Sequence, residues 1–185
     1  MSLEHAILGF LNYGPFSGYD LKKMFDASVQ HFWSADQSQI YRTLARLSEQ
    51  GWAEVEVVEQ EDRPDRKVYH ITDAGRAELR RWLTTPLAHE SHRSAELVQV
   101  FFAAQLSDEE ILAMFEREAE KVRAVLACYD GVPQQAAKYI EMVDSPREAF
   151  FWLLTLEAGI RSAQAHVAWL ESVIQRIRDG EVPPT

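Results

Sequence analysis

Apolar residues recur at helical spacing through the first fifty positions, alternate with polar ones around residue 55, and return to helical spacing from residue 73 onward. Leu3, Ala6, Ile7, Phe10 and Leu11 share one face of a helix predicted over Leu3–Tyr13, which Gly14-Pro15 ends. Ser17, with Asp20 three residues on, opens a second helix whose apolar side is Leu21, Met24, Phe25 and Val29; the acid in its first turn suits the helix dipole. After His31-Phe32-Trp33, the stretch Ser34–Trp52 makes a third helix with one narrow apolar stripe, Ile40, Leu44 and Leu47. Ser34 and Gln37 read as its capping box, and Gly51 suits the left-handed residue past its end. In Trp52–Val58, Ala53, Val55 and Val57 oppose Glu54 and Glu56, which is strand alternation; Lys67–Thr72 is its partner across a charged turn, giving a hairpin. Asp73 then caps a fourth helix with Ala77, Leu79, Trp82 and Leu83 as its apolar members.

Thr84-Thr85-Pro86 breaks that helix, and Leu87–Arg93 reads as a linker. Glu96–Leu106 is apolar enough to predict a buried helix. Ser107 with Glu110 is a second capping box, opening a helix in which Leu112, Phe115, Ala119, Val122, Leu126 and Tyr129 step by three and four until Gly131 and Pro133. A shorter helix around Gln135–Val143 precedes the longest pattern. Ser145-Pro146-Arg147-Glu148 combines an N-cap, Pro at the first helical position and Glu at the third. From there Ala149, Leu153, Leu156, Ile160, Ala163, Val167, Leu170, Ile174 and Ile177 form an unbroken heptad seam, stopped by Gly180 and two prolines. At about 1.5 Å per residue this helix approaches roughly 50 Å, too long for one small domain to cover. Phe150, Phe151, Trp152 and Trp169 add apolar surface outside the seam.

The polar positions carry the chemistry. On the third helix Ser38, Gln39, Tyr41, Arg42 and Arg46 lie off the apolar stripe, and side chains of these types hydrogen-bond base edges and phosphates. No acid falls between Gln37 and Ser48. Tyr19, Lys22 and Lys23 on the second helix are available to solvent or phosphate, as are Arg63, Arg66 and Lys67 beside the hairpin turn. Three short-linked helices, a two-stranded wing and a closing helix make a winged helix, whose last helix of three lies in the DNA major groove.

Three blocks, SGYDLKKMF at 17–25, IYRTLARLSEQGW at 40–52 and RKVYHITDAGRAEL at 66–79, resemble the PadR family of bacterial transcription regulators. The length and the helical second half are similar to its larger-bodied subfamily. The resemblance implies a dimer that binds double-stranded operator DNA, most often as a repressor, with a response to small aromatic ligands in some members. It implies that Gln39, Tyr41 and Arg42 lie at the DNA face, that Tyr19 approaches phosphate near the start of the second helix, and that Arg66 or Lys67 does so from the wing. Arg42 stands where the family frequently has Pro. The expected fold is therefore mainly α: a winged helix-turn-helix over residues 1–85 with a two-stranded wing, and a helical domain for dimerisation over 86–185.

Composition and charge adjust this picture in three places. The chain has 185 residues, 46% of them hydrophobic, enough for one large core or two small ones. Its net charge of −10 opposes wholesale coating of nucleic acid, since DNA affinity rests on phosphate neutralisation. Residues 1–83, however, hold ten Lys/Arg against thirteen Asp/Glu, a net of −3, leaving nine against sixteen, a net of −7, for the rest. The wing turn is itself acidic, with Glu59, Glu61, Asp62 and Asp65 against three basic residues.

No apolar run approaches the roughly 18–20 residues that span a bilayer, and no signal peptide is evident, so no membrane partner and a cytoplasmic location are expected. The single cysteine, Cys128, reads as a small buried hydrophobe. His89 and His92 lack a third ligand at metal spacing, and no cofactor is called for.

Several residues admit two readings. The seam closes either an internal antiparallel hairpin with the 108–129 helix, or a dimer in which Leu153, Leu156, Ile160, Ala163, Val167, Leu170, Ile174 and Ile177 also meet their counterparts; two-fold presentation of reading helices about 34 Å apart favours the dimer. Phe151, Trp152 and Trp169 either line an effector pocket or pack in the core. Tyr41 could pack on the helix behind it, Arg46 could pair with Glu49, and Phe32 and Trp33 suit a core. A sequence-specific DNA-binding regulator is the principal expectation, with a winged-helix protein-interaction module as its alternative. Without GxSxG, P-loop, HExxH or dinucleotide fingerprint, no enzyme is expected.

Overall fold

Helical caps and one crossing of three strands set the first half of the chain. The computed structural model describes residues 2–29, 32–59, 65–87, 93–129 and 145–183. Its elements are α1 (Ser2–Leu11), β1 (Phe16–Ser17), α2 (Gly18–Ser28), α3 (Gln37–Glu49), β2 (Ala53–Val58), β3 (Arg66–Ile71), α4 (Asp73–Thr84), α5 (Ala95–Phe101), a 3₁₀ turn at Ala103–Gln105, α6 (Asp108–Tyr129) and α7 (Pro146–Arg178). They form two compact units, Met1–Ala88 and His89–Thr185. The expected helix around Gln135–Val143, His89, His92 and Arg63 lie outside the described residues.

In the first unit, the helix pattern buries Ile7, Leu8, Leu11, Leu21, Phe25, Ile40, Leu44 and Leu47 almost completely. Removing such side chains from water is the main term holding α1, α2 and α3 together. The sheet has one strand more than the expected hairpin. Phe16 and Ser17 add to the outer edge of β3, opposite Tyr69 and Val68, giving the antiparallel order β1-β3-β2. A two-residue strand leaves no alternation to detect, and Ser17 doubles as the α2 cap. β2 does alternate, but only Ala53 is buried; Val55 and Val57 are exposed, because the wing projects from the helices rather than lying on them.

Two predicted caps shift. α3 begins at Gln37 with Asp36, not Ser34, as its N-cap: the Asp36 carboxylate accepts from the Gln39 backbone N–H at 2.7 Å, and the Gln39 side-chain oxygen accepts from the Asp36 N–H at 3.0 Å. An ionised carboxylate answers both the orphan donors and the dipole, and so outcompetes the nearby Ser. α4 is capped by Thr72 rather than Asp73; the Thr72 hydroxyl accepts from the Gly75 N–H at 3.0 Å and donates to the Gly51 carbonyl at 2.7 Å. Gly51 takes φ +72° after α3 as expected. Gly75 has no room for a Cβ against the Trp52 carbonyl, which fixes α4 close to the start of β2.

Polar side chains fasten α1 into this unit. Buried Glu4 receives Arg46 of α3 at 2.5 Å. His5 stacks on Trp82 of α4, 4.6 Å between centroids, and meets Glu78 at 3.0 Å. Phe32 and Trp33, expected in the core, are exposed beside the α2–α3 connection.

The second unit is built on an antiparallel pair, α6 with the C-terminal half of α7. Ile111, Phe115, Ala119 and Val122 pack with Leu170 and Ile174, flanked by Ala163, Val167 and Ile177. Arg123–Glu171 and Arg178–Glu116, each 2.6 Å, bracket the crossing. Ser107 and Ser145 cap as predicted. The helix expected to be buried at Glu96–Leu106 is not: within α5 and its exit, Leu97, Val98, Phe101 and Phe102 are exposed, and Ala103 alone is buried. Cys128 is likewise exposed. Among the described residues, no helix is long and apolar enough to cross a membrane.

Candidate nucleic-acid interface

The polar face of α3 starts from its cap. Asp36 is held in its charged form, first by the Ser38 hydroxyl at 2.7 Å and then by the Gln39 N–H, so its carboxyl lies below the usual range. Ser38 and Gln39, two of the expected DNA-facing residues, thus spend part of their hydrogen-bonding capacity on the helix end. Arg42 lies one turn further, exposed, with Nε donating to the Ser38 carbonyl at 3.3 Å. Its planar guanidinium suits bidentate contact with a guanine edge or a phosphate.

Tyr41 takes both of its alternatives at once. Its ring lies against the backbone at the start of α2, where a Cβ built on Gly18 would come within 2.5 Å of Tyr41 Cε1, yet 43% of the residue remains exposed. Tyr69 lies beneath the same region; burial pushes its hydroxyl above the ordinary range, and Tyr41 adds to the effect.

Other candidates divide by their partners. Tyr19 is 55% exposed, with the Lys23 ammonium 4.5 Å over its ring. Lys22 pairs with Asp26 one turn along α2. Arg46 pairs with Glu4 of α1, not with Glu49, which places its charge on the seam between helices. Arg66, at the start of β3, reaches across to Asp20 at 2.5 Å, while Lys67 is exposed on the wing. Burial disfavours the Asp20 carboxylate, but hydrogen bonds from Ser17 and from Arg66 outweigh that cost and hold it below the usual range.

Exposed Tyr19, Tyr41, Arg42 and Lys67 therefore project from α2, α3 and β3 of a single unit. Gly18, Asp20 and Asp36 support them and were not singled out as site residues by sequence. Asp20 shows only as an acid in the first turn of α2, Asp36 stands behind Ser34 as a cap, and the pairings Gly18–Tyr41 and Asp20–Arg66 leave no local trace.

The expected effector cluster is separated. Trp169 packs edge-on to Phe115 at 5.9 Å and stacks with His166 at 5.8 Å, in the α6–α7 core. Phe151 lies two and a half heptads earlier on the same helix, beside Phe150 and Arg147; a rise of about 1.5 Å per residue puts roughly 27 Å between the two rings along the axis. Phe151 and Trp169 thus stand at separate ends of α7. Among the described residues no group of three or more His, Cys, Asp or Glu could hold a metal ion.

Residues 7–81 match the model of the transcriptional regulator PadR-like family, and residues 92–178 that of the virulence activator alpha C-terminal region. A probable transcriptional regulator of Mycobacterium tuberculosis is 33% identical over 97% of this chain and 99% of its own length. The negative transcriptional regulator PadR of Bacillus subtilis is 30% identical over 95% of this chain and 97% of its own. Its crystal structure in complex with operator DNA matches with a TM-score of 0.82 over 96% of this chain and 99% of that one, and its complex with p-coumaric acid with 0.75 over 95% of each. The virulence activator AphA of Vibrio cholerae is 30% identical, with a TM-score of 0.74 over 96% of this chain and 98% of that one. Along its whole length, winged helix and helical body alike, the chain belongs to the PadR-like family of transcriptional regulators.

Proposed function

We propose that this DNA-binding regulator acts as a homodimeric repressor, with α3 in the major groove of a two-fold operator. Arg42 reads a base edge or phosphate, Tyr41, Ser38 and Gln39 position the helix, and Tyr19 and Lys67 approach the flanking backbone. The observation that carries the reading is the exposed polar face of α3, anchored from behind by Ile40, Leu44 and Leu47 with no exposure at all. Such a helix presents side chains to a partner while its axis is held still. The full-length likeness to a regulator crystallised on operator DNA supports the choice of partner.

Two copies answer the charge problem. A net of −10 leaves one reading helix with little affinity, and doubling the contacts at fixed spacing restores it. The first half of α7 offers the second copy a surface: Phe150, Phe151, Leu153 and Leu154 are 41–58% exposed, beside an open groove lined by Leu153, Leu156, Ile160 and Gln164. By contrast, Ala163, Val167, Leu170, Ile174 and Ile177 are engaged with α6 within the chain, so the dimer seam we infer is confined to residues 150–160. A small aromatic acid as releasing effector is supported by the p-coumaric acid complex of the Bacillus relative.

Binding to DNA from upstream of the chain's own gene, followed by fluorescence anisotropy at two salt concentrations, tests the proposal. Arg42→Ala should cost about 1–3 kcal/mol of operator affinity while leaving the melting temperature unchanged. No binding by the wild-type dimer at micromolar concentration, with competitor DNA present, would favour a winged-helix protein-interaction module instead. Addition of p-coumarate should release the complex if an aromatic acid is the effector.

A further inference from the structure

Resting on the reading of α3 and the wing as the DNA face, we propose that Ser17–Asp20 is a positioning element for operator binding: Asp20 aims Arg66 of the wing, and Gly18 seats the ring of Tyr41. One turn of α2 thereby sets the geometry of groups borrowed from two other elements.

Four observations converge on this turn. Ser17 pairs with Val68 in the sheet and caps α2, so the turn is fastened to strand and helix together. The Asp20 carboxylate accepts from the Ser17 N–H at 3.1 Å, from the Ser17 hydroxyl at 2.6 Å and from Arg66 at 2.5 Å, through the same Oδ2 atom. Arg66 sits at the first position of β3, opposite Val58, at the end of the hairpin away from buried Ala53. Gly18 is buried, and a Cβ there would lie 2.5–2.9 Å from three atoms of the Tyr41 ring.

Stability does not explain the ion pair. Asp20 and Arg66 side chains are 31% and 49% exposed, a regime in which an ion pair adds little to folding. An arginine held in one geometry before binding, however, loses less side-chain freedom when it meets phosphate. The guanidinium has donors on both edges, so one edge can stay on Asp20 while the other turns outward.

The sign of one substitution separates this role from simple electrostatics. Asp20 is an anion close to a surface that must accept phosphate, so on charge alone its neutralisation should tighten DNA binding. A positioning role requires the opposite. Asp20→Asn keeps an oxygen for Ser17 and removes the negative charge that holds Arg66.

Operator affinity and its salt dependence should be measured by fluorescence anisotropy on the full chain, with melting curves run on each variant. We expect Asp20→Asn and Arg66→Ala each to weaken binding at least fivefold, the double variant to be no weaker than either, and the salt slope to fall by about one in Arg66→Ala. Gly18→Ala should weaken binding comparably, and in a Tyr41→Ala background it should have no further effect. Asp20→Asn binding as tightly as wild type, or more tightly, would overturn the role of Asp20, as would additive losses in the double variant. Should Asp20→Asn melt early, Arg66→Ala decides alone, since its exposed side chain carries no core: unchanged affinity and slope sink the proposal. Wild-type chain that binds no upstream DNA would remove the operator reading itself, and this inference with it.

Discussion

α3 and α7 carry the same kind of signal, apolar residues stepping by three and four, and meet different surroundings. On α3 the three residues of the stripe are completely buried within a unit that supplies every partner they need. On α7, Leu170 and Ile174 are buried against α6, whereas Leu153 is 44% exposed and Phe150 58%. Helical spacing therefore predicts that a face will be covered, but not by what. A short amphipathic helix inside a small domain has few places to go; a helix of 33 residues extends past its single described antiparallel neighbour. The contrast makes the first unit the self-sufficient scaffold and the second the region that asks for a partner.

The comparison breaks most sharply at its best-packed point. Leu44→Ala should lower stability by about 2–5 kcal/mol, read as a shifted urea midpoint, because the cavity lies at the junction of α1, α2 and α3. A loss below about 1 kcal/mol would mean that this core can collapse around the gap and is less tightly assembled than its burial indicates.

A second strike on the same unit goes through its polar fastening. Glu78 accepts from Nε and a terminal nitrogen of Arg81, at 2.7 and 2.6 Å, and meets His5 at 3.0 Å; the Arg81 hydrogen bonds first, then that of His5, bring its carboxyl from an ordinary 4.5 down to about 2. A carboxyl depressed on folding contributes stability that is present above its unfolded value and lost as pH falls through the folded one. Wild-type stability should therefore decline between about pH 4.5 and pH 2, and Glu78→Gln should lack that part of the decline. At pH 7 the substitution should cost about 1–3 kcal/mol, the range for disrupting hydrogen bonds to a charged group. Identical pH profiles for the two proteins would place the acid sensitivity elsewhere.

How much of this was legible in the sequence follows the distance between partners. The stripe of α3, the Ser17, Ser107 and Ser145 caps and the strand at β2 depend on neighbours within a few residues, and the structure bears them out. The start of α3 was displaced by two residues because Asp36 satisfies the same pattern as Ser34 with a charge added. Arg66–Asp20 and His5–Glu78 bridge 46 and 73 positions, and no local pattern announces them. The α5 segment went wrong for another reason: Leu97, Val98, Phe101 and Phe102 are as apolar as any core segment, and composition cannot distinguish a face buried within a chain from one left exposed. At the DNA face, residue types were legible while their constraints were not. Tyr41 was visible as a candidate; the glycine that makes room for its ring was not.

In the second unit the comparison can be sharpened by charging the uncovered half of α7. Leu153→Asp should leave the far-ultraviolet circular dichroism unchanged and raise the dissociation constant of the dimer at least tenfold, a loss of about 1.4 kcal/mol, in sedimentation equilibrium. Unchanged self-association would show that the exposed half of the seam serves something other than a second copy.

The smallest effect lies where the covered half of the same helix is trimmed by charge. Arg123 of α6 donates through Nε and a terminal nitrogen to one oxygen of Glu171, at 3.2 and 2.6 Å, with both side chains a little over half exposed. Water competes for each partner, and a long arginine must be immobilised to keep the contact, so Arg123→Ala should cost about 0.2–1 kcal/mol. The loss should shrink further as salt is raised past roughly 0.15 M, where screening acts within about 8 Å. Phe115, Ala119 and Leu170 would still close the α6–α7 core without the pair. A cost above about 2 kcal/mol that persists in salt would mean that charge, rather than the apolar seam, sets the register of this hairpin. The two halves of α7 would then differ in what aligns them as well as in what covers them.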